Sequence, residues 1–330
     1  MFMGDFVILA DKNSNAWGFA QKIQSYTKIE KGMDVPLYEL EVDKFRNGEI
    51  GLHISENLRK KEIYFIHDST KDPQQWWTEL LLLKDLVLSS SAKSLILVLP
   101  NMLYSRQDRK DRPHVPISAR ALATSIFPGV ERIITMDLHA DQIQGFYPQD
   151  VPLDNLYSFP EAVRYLKAHH SEYLKNLVVV SPDAGSAKRA KKFIAALNKA
   201  NEKDQTKESY DFAIIDKERQ KAGEVSQMQL VGSVKGKNCL IPDDIIDTGG
   251  TLCSAAKILK ENGAEKILCY TTHGIFTNGT DELKKHFDVV MTSNTHCIEK
   301  PGVEIVDVSS LFAEAIYRAQ FGLSISKLFD

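Results

Sequence analysis

The chain has 330 residues, 43% of them hydrophobic and 26% charged, a length beyond what one hydrophobic core serves and a mixture that excludes disorder. Its 41 Lys and Arg nearly cancel its 44 Asp and Glu, so the net charge of -3 gives no whole-chain field for nucleic acid or an anionic membrane. The four cysteines (Cys239, Cys253, Cys269, Cys297) lie in or beside apolar runs and never as Cys-x-x-Cys, which argues against zinc or a disulfide framework and for reduced core residues.

In chain order, short apolar runs rich in Val and Ile recur at 6–10, 62–67, 94–99, 132–138, 177–180, 212–215, 239–241, 266–271, 289–292 and 303–308. They are too short for helices and read as strands buried on both faces. Between them, helical spacing of apolar residues predicts helices over 17–23, 77–88, 117–126, 187–197, 252–261 and 311–319. Strands alternating with helices predict an α/β protein with two doubly wound parallel-sheet domains, each of about five strands. The polar connection near 147–160 sets the expected division: an N-terminal domain over 1–158, onto which the C-terminal helix at 311–330 packs back, and a C-terminal domain over 159–310. The polar, charge-alternating segment 198–210 is expected to be an exposed, mobile insertion. No run approaches the ~18 apolar residues of a membrane span and the N-terminus has no signal-peptide pattern, so a cytoplasmic protein without membrane or nucleic-acid partner is expected.

In open parallel sheets ligands bind beyond the carboxyl ends of the strands. The most informative such end is Asp243-Asp244-Ile245-Ile246-Asp247-Thr248-Gly249-Gly250-Thr251, which runs into a helical stretch. Unhindered N–H groups in that turn, two Thr hydroxyls and a helix N-terminus make a cradle for a phosphate monoester. The carboxylates ahead of it would repel phosphate, but can accept hydrogen bonds from sugar hydroxyls or hold a divalent ion. A sugar phosphate meets both demands; the plainer alternative is that Asp247 and Thr248 merely cap the helix. Asp183, in Ser181-Pro182-Asp183-Ala184-Gly185, and His139, in Asp137-Leu138-His139, end two further strands as possible metal ligands, though His139 reads equally well as a structural histidine. Arg106, Arg109, Lys110 and Arg112 crowd the loop after 94–99, and Lys217, Arg219 and Lys221 follow 212–215. Either set could be a solvated loop or a clamp on polyphosphate.

These segments together resemble the ribose-phosphate pyrophosphokinase (phosphoribosyl pyrophosphate synthetase) family. The 243–251 loop alone is similar to the wider phosphoribosyltransferase group. The narrower resemblance is carried by Phe45-Arg46-Asn47-Gly48-Glu49, TyrSerArgGlnAspArgLys at 104–110, the run from Asp137 through Gln142 to Phe146, SerProAspAlaGlySerAlaLysArg at 181–189 and LysGluArg at 217–219. It implies phosphoribosyltransferase-like domains and transfer of the β,γ-diphosphoryl group of ATP to the anomeric hydroxyl of ribose 5-phosphate, with Mg²⁺ required. It also implies that Phe45, Asn47, Glu49, Arg106, Gln107 and Asp108 surround ATP and that His139 and Asp183 are magnesium ligands. Asp243, Asp247, Thr248, Gly249, Gly250, Thr251 and Arg219 would hold ribose 5-phosphate, Lys217 and Arg219 would be catalytic, and the assembly would be a homohexamer. Departures occur at Gln74 to Trp77, at Ser186, where the family has Gly, and at Arg59-Lys60-Lys61. They lie where the family packs subunits and binds regulators, so phosphate activation and ADP inhibition are not carried over.

Overall fold

The computed structural model describes residues 6–206, 208–217, 228–296 and 299–329. Arg219 and Cys297 lie outside them. The chain forms two compact units, one of Met1–Tyr157, Asn294–Ile298 and Val308–Asp330, the other of Ser158–Ser293 and Glu299–Asp307.

The first unit contains β1 (Phe6–Asp11), α1 (Ala16–Lys31), β2 (Leu37–Lys44), β3 (Ile50–His53), β4 (Glu62–Ile66), α2 (Pro73–Ser89), β5 (Ser94–Leu99), α3 (Ser118–Ile126), β6 (Arg132–Met136) and β7 (Leu153–Leu156). The sheet order is β3-β2-β1-β4-β5-β6-β7, parallel except for the β2–β3 pair. Alternation along the strands separates two apolar layers. Val7, Leu9, Phe65, Leu95 and Leu97 pack with Trp76, Leu80 and Leu83 of α2 and Leu122 of α3. Phe6, Ile8, Ile66, Ile96 and Val98 pack with Phe19 and Ile23 of α1. That second layer also takes in Phe312 and Ile316 from the far end of the chain, where Phe312 meets Phe19 edge to face at 5.4 Å.

The second unit contains α4 (Phe159–His169), β8 (Leu177–Ser181), α5 (Ala187–Asp204), β9 (Asp211–Lys217), β10 (Met228–Val231), β11 (Asn238–Ile246), α6 (Gly250–Glu261), β12 (Ile267–Gly274), α7 (Asp281–His286), β13 (Val289–Ser293) and β14 (Glu304–Val306). The last helix, α8 (Ser309–Gln320), belongs to the first unit. The second sheet runs β10-β9-β8-β11-β12-β13-β14, again parallel except at one edge, β9–β10. Val178, Val180, Ile241 and Cys269 face Leu252, Ala256 and Leu259 of α6; Val179, Leu240 and Tyr270 face Phe159 of α4 and Phe193 and Leu197 of α5. Cys239, Cys253 and Cys269 are buried free thiols, and burial pushes Cys239 up to about 12.

Several details differ from the sequence expectation. Each sheet has seven strands; β2, β3, β7 and β10 are not read from the sequence because they lack a continuous apolar run, and β2 alternates apolar Tyr38, Leu40 and Val42 with acidic Glu39, Glu41 and Asp43. The segment expected as a mobile insertion is helical as far as Asp204, because α5 buries Asn201 beyond Leu197 and the Asn201 amide donates to the Glu208 carbonyl and the Tyr210 hydroxyl. Asp243 and Asp244 lie inside β11 rather than after it.

Candidate functional site

Both sheets gather the expected site residues at the carboxyl edge of their strands. In the second unit, β11 pairs with β8 through Leu240 and Val179, which sets Asp243 level with Pro182 and beside the loop carrying Asp183. Asp183 is half-buried, and its Oδ1 accepts the Ser186 N–H at 2.8 Å, an Asx-type turn that opens α5. In the first turn of α5, Arg189 donates through one Nη1 to Asp243 Oδ1 at 2.9 Å and Asp244 Oδ1 at 3.0 Å. Burial holds the Asp243 carboxyl well above the usual carboxylate range, the Asp244 charge adds to that, and the guanidinium opposes both.

Beyond these carboxylates the chain turns through 247–251. Gly249 is buried at φ +78°, a conformation that favours glycine, and a Cβ there would meet Leu283 Cδ2 at 3.2 Å, so that side chain would have to shift slightly to admit it. The N-cap position of α6 is Gly249, which has no side chain of its own to cap the helix. The Asp247 carbonyl and Oδ1 are engaged by the Thr277 N–H and hydroxyl, after β12. Thr248, Gly250 and Thr251 are exposed around an N-terminus whose first N–H groups have no intrahelical acceptor. The apolar face of α6 (Leu252, Cys253, Ala255, Ala256, Leu259) anchors that N-terminus to the sheet. Lys217 is the last residue of β9, two strands from β11 on the same edge, and its backbone pairs with Met228.

In the first unit, strand order reverses between β1 and β4, the position where such sheets open a crevice. Lys71 Nζ bridges Asp11 Oδ2 at 2.6 Å and Glu79 Oε2 at 2.7 Å there, and Glu79 is fully buried. Burial raises Glu79, and Lys71 opposes the rise. His67, beside it, donates from Nε2 to the Trp76 carbonyl at 3.0 Å and stacks on that indole. Its Nδ1 is 3.9 Å from Glu79, too far for a hydrogen bond, and burial lowers its pKa to about 3, so the pair is a neutral imidazole beside a carboxylate rather than an ion pair.

The loop after β5 is shaped by its own residues. Gln107 accepts from the Ser118 hydroxyl and, through its carbonyl, from the Ala119 N–H at the start of α3, while buried Asp108 Oδ2 accepts from Gln142. Arg106 is exposed beside them. His139 is exposed after β6, where Asp137 takes φ +41° and the Asp137 and Leu138 N–H groups donate to the Leu156 carbonyl and Asn155 Oδ1. Phe45, Asn47 and Glu49 form the β2–β3 turn, closed by Phe45 N–H to Glu49 carbonyl at 2.8 Å and by Asn47 Oδ1 accepting the Glu49 N–H. This turn and Asp72, Gln74 and Gln75 of the α2 start line a cleft of about 550 Å³ that Arg106, Gln107 and Asp108 do not line. The second unit therefore brings Asp183, Asp243 and the 247–251 turn to one sheet edge, and in the first unit the Phe45–Glu49 turn lines a cleft without the Arg106 loop.

Three participants carried no sequence signal as such: Arg189, whose partners lie 54 residues on, the Thr277 anchor of Asp247, and the Asp11–Lys71–Glu79 bridge. Arg189 stands within a quoted motif, but spacing alone does not say that its side chain returns to β11. Among the described residues no three His, Cys, Asp or Glu side chains form a set able to hold a metal unaided.

Comparison with known proteins agrees with this architecture. A family model for the N-terminal domain of ribose phosphate pyrophosphokinase matches residues 14–127, and one for the phosphoribosyl transferase domain matches 153–308. A ribose-phosphate pyrophosphokinase of Cereibacter sphaeroides is 37% identical over 319 residues, covering 94% of this chain and 91% of that protein. Ribose-phosphate pyrophosphokinase 4 of Saccharomyces cerevisiae is 39% identical over 309 residues, covering 92% of this chain and 90% of its own. The crystal structure of phosphoribosylpyrophosphate synthetase from Mycobacterium smegmatis superposes with a TM-score of 0.80 at 29% identity, covering 96% of this chain and 99% of that one. The chain belongs to the ribose-phosphate pyrophosphokinase family.

Proposed function

We propose that the protein is a ribose-phosphate diphosphokinase: ATP and ribose 5-phosphate give 5-phosphoribosyl 1-diphosphate and AMP, for nucleotide biosynthesis in the cytoplasm. The observation that carries this reading is the Asp247–Thr251 turn, a helix start opened by glycine with two carboxylates behind it. The 5-phosphate sits on the turn, where N–H groups and the helix dipole favour an anion. Asp243 accepts from the ribose hydroxyls, and Arg219 joins from beyond the described residues.

The anomeric oxygen attacks the β-phosphorus in line, the bond from that phosphorus to the α,β-bridging oxygen breaks, and AMP leaves with the bridging oxygen while the hydroxyl proton passes to solvent. Two polyanions must react, so cations supply most of the catalysis. Lys217 and Arg219 neutralise charge on the migrating group, and Arg106, Gln107 and Asp108 hold the donor nucleotide. The tethering of Gln107 to Ser118 and of Asp108 to Gln142 supports a preformed nucleotide loop. His139 and Asp183 are the proposed Mg²⁺ ligands; the ion, when bound, would offset phosphate charge. The absence of a three-ligand set among the described residues suits an ion that takes most of its ligands from phosphate and water.

Phe45, Asn47 and Glu49 join Arg106, Gln107 and Asp108 around the nucleotide. The assembly is a homo-oligomer, a homohexamer by family resemblance. No helix among the described residues is long and apolar enough to cross a membrane. The test is AMP release from ATP and ribose 5-phosphate with no nucleobase present. Release that depends on both substrates and on a divalent ion supports the reading; release only when a base is added identifies a phosphoribosyltransferase, and binding without turnover identifies a silent subunit.

A further inference from the structure

Arg189 stands out because a single nitrogen serves two neighbouring carboxylates, Asp243 Oδ1 at 2.9 Å and Asp244 Oδ1 at 3.0 Å. All three side chains are largely withdrawn from water, at 19% exposure for Arg189, 18% for Asp243 and 5% for Asp244. We infer that Arg189 is a positioning residue of the ribose 5-phosphate site, its guanidinium holding the Asp243 and Asp244 carboxylates in the orientation that receives the sugar hydroxyls. The inference rests on the reading of 243–251 as that site, and adds a residue the reading does not contain.

The physical case begins with repulsion. Adjacent carboxylates in a poorly hydrated place cannot both stay ionised unless a cation lies between them; otherwise one takes a proton. A protonated carboxyl is a donor at one oxygen and a poorer acceptor, the wrong partner for a diol whose hydroxyls must donate. Burial and Asp244 both push Asp243 toward that form, and Arg189 is the charged group acting against them. Geometry adds orientation. Asp243 Oδ1 accepts from Arg189 and from the Asp244 N–H at 2.9 Å, which fixes the carboxylate plane. Topology explains the reach: β8 and β11 are neighbours, α5 opens soon after β8 ends, and Arg189 in its first turn overhangs the end of β11. A lysine at 189 would keep the charge, but as a strongly hydrated ammonium on a flexible stem it would lose the rigid planar group that holds one nitrogen between the two carboxylates.

Kinetics of the full chain with ATP and ribose 5-phosphate, combined with equilibrium binding of ribose 5-phosphate, test this. Arg189→Ala should raise the KM and Kd for ribose 5-phosphate about tenfold or more, the worth of lost charge-assisted hydrogen bonds, and leave the KM for ATP within about twofold. Millimolar guanidinium should restore much of the loss, and Arg189→Lys, which keeps the charge and the helix, should fall between. A KM for ribose 5-phosphate within about twofold of wild type in both variants overturns the inference, as do both KM values rising together with no recovery by guanidinium. Failure of the underlying reading shows differently, as wild-type protein that does not bind ribose 5-phosphate at all.

Discussion

Replacing Gly249 by Ala adds one methyl group at the point where the chain turns from β11 into α6. At φ +78° the new side chain sits in the left-handed region, which costs an L-residue roughly 1–2 kcal/mol, and its Cβ would lie 3.2 Å from Leu283 Cδ2 and 3.3 Å from Leu283 Cγ. The chain has two responses. If the turn keeps its shape, the strain appears as lost stability, a fall in Tm of about 2–8 °C for a unit of this size. If the turn relaxes, its N–H groups leave the phosphate position and the KM for ribose 5-phosphate rises by about 5–30-fold for the same energy. A matched control exists in Gly236, at φ +68° with nothing within 4 Å of its Cβ position and its N–H bonded to the Gly263 carbonyl at the opposite edge of the sheet. Gly236→Ala should lower Tm without touching KM. Thermal melts and substrate-saturation curves of both variants decide the matter: a Gly249→Ala protein with wild-type Tm and KM, or equal KM increases in both variants, would refute the assignment of this turn to the phosphate.

Other outcomes follow from the same structure. Lys217→Ala should lower kcat by about three orders of magnitude while the melting curve is retained, because a catalytic cation contributes mainly in the transition state; a kcat within about tenfold of wild type would remove Lys217 from that role. His67, buried and lowered from 6.5 to about 3, cannot take a proton in the fold that it readily takes when unfolded. The unfolded state therefore binds more protons across that interval, so stability is fully present above about pH 6.5 and declines as pH falls toward 3. Denaturant titrations of His67→Gln should lack that acid limb; an unchanged pH dependence would mean that another group produces it.

How legible each part was depends on how many of its faces are buried. The central strands announce themselves because both faces are covered: Val7 and Leu9 pack toward α2, Phe6 and Ile8 toward α1, which leaves an unbroken apolar run in the sequence. Edge elements do not. β2 carries Glu39, Glu41 and Asp43 along its length, and its antiparallel partner β3 has only four residues, so neither shows an apolar run. The end of α5 is polar enough to resemble a loop, and only the burial of Asn201 shows that it still packs. The 243–251 loop was readable because its chemistry is local: carboxylates, then glycines, then a helix. Arg189 and Thr277 were not, since each gains meaning only from strand adjacency, 54 and 30 positions from its partner. The Lys71 bridge was hidden for the same reason, with Asp11 and Glu79 joined only where β1 meets the loop after β4.

The central claim is the identity of the group transferred, and ³¹P NMR of a reaction containing ATP, ribose 5-phosphate and Mg²⁺ reads it directly. The account predicts AMP and a sugar 1-diphosphate accumulating in equal amounts as ATP disappears. Accumulation of ADP with a sugar bisphosphate, or of neither product, would contradict it.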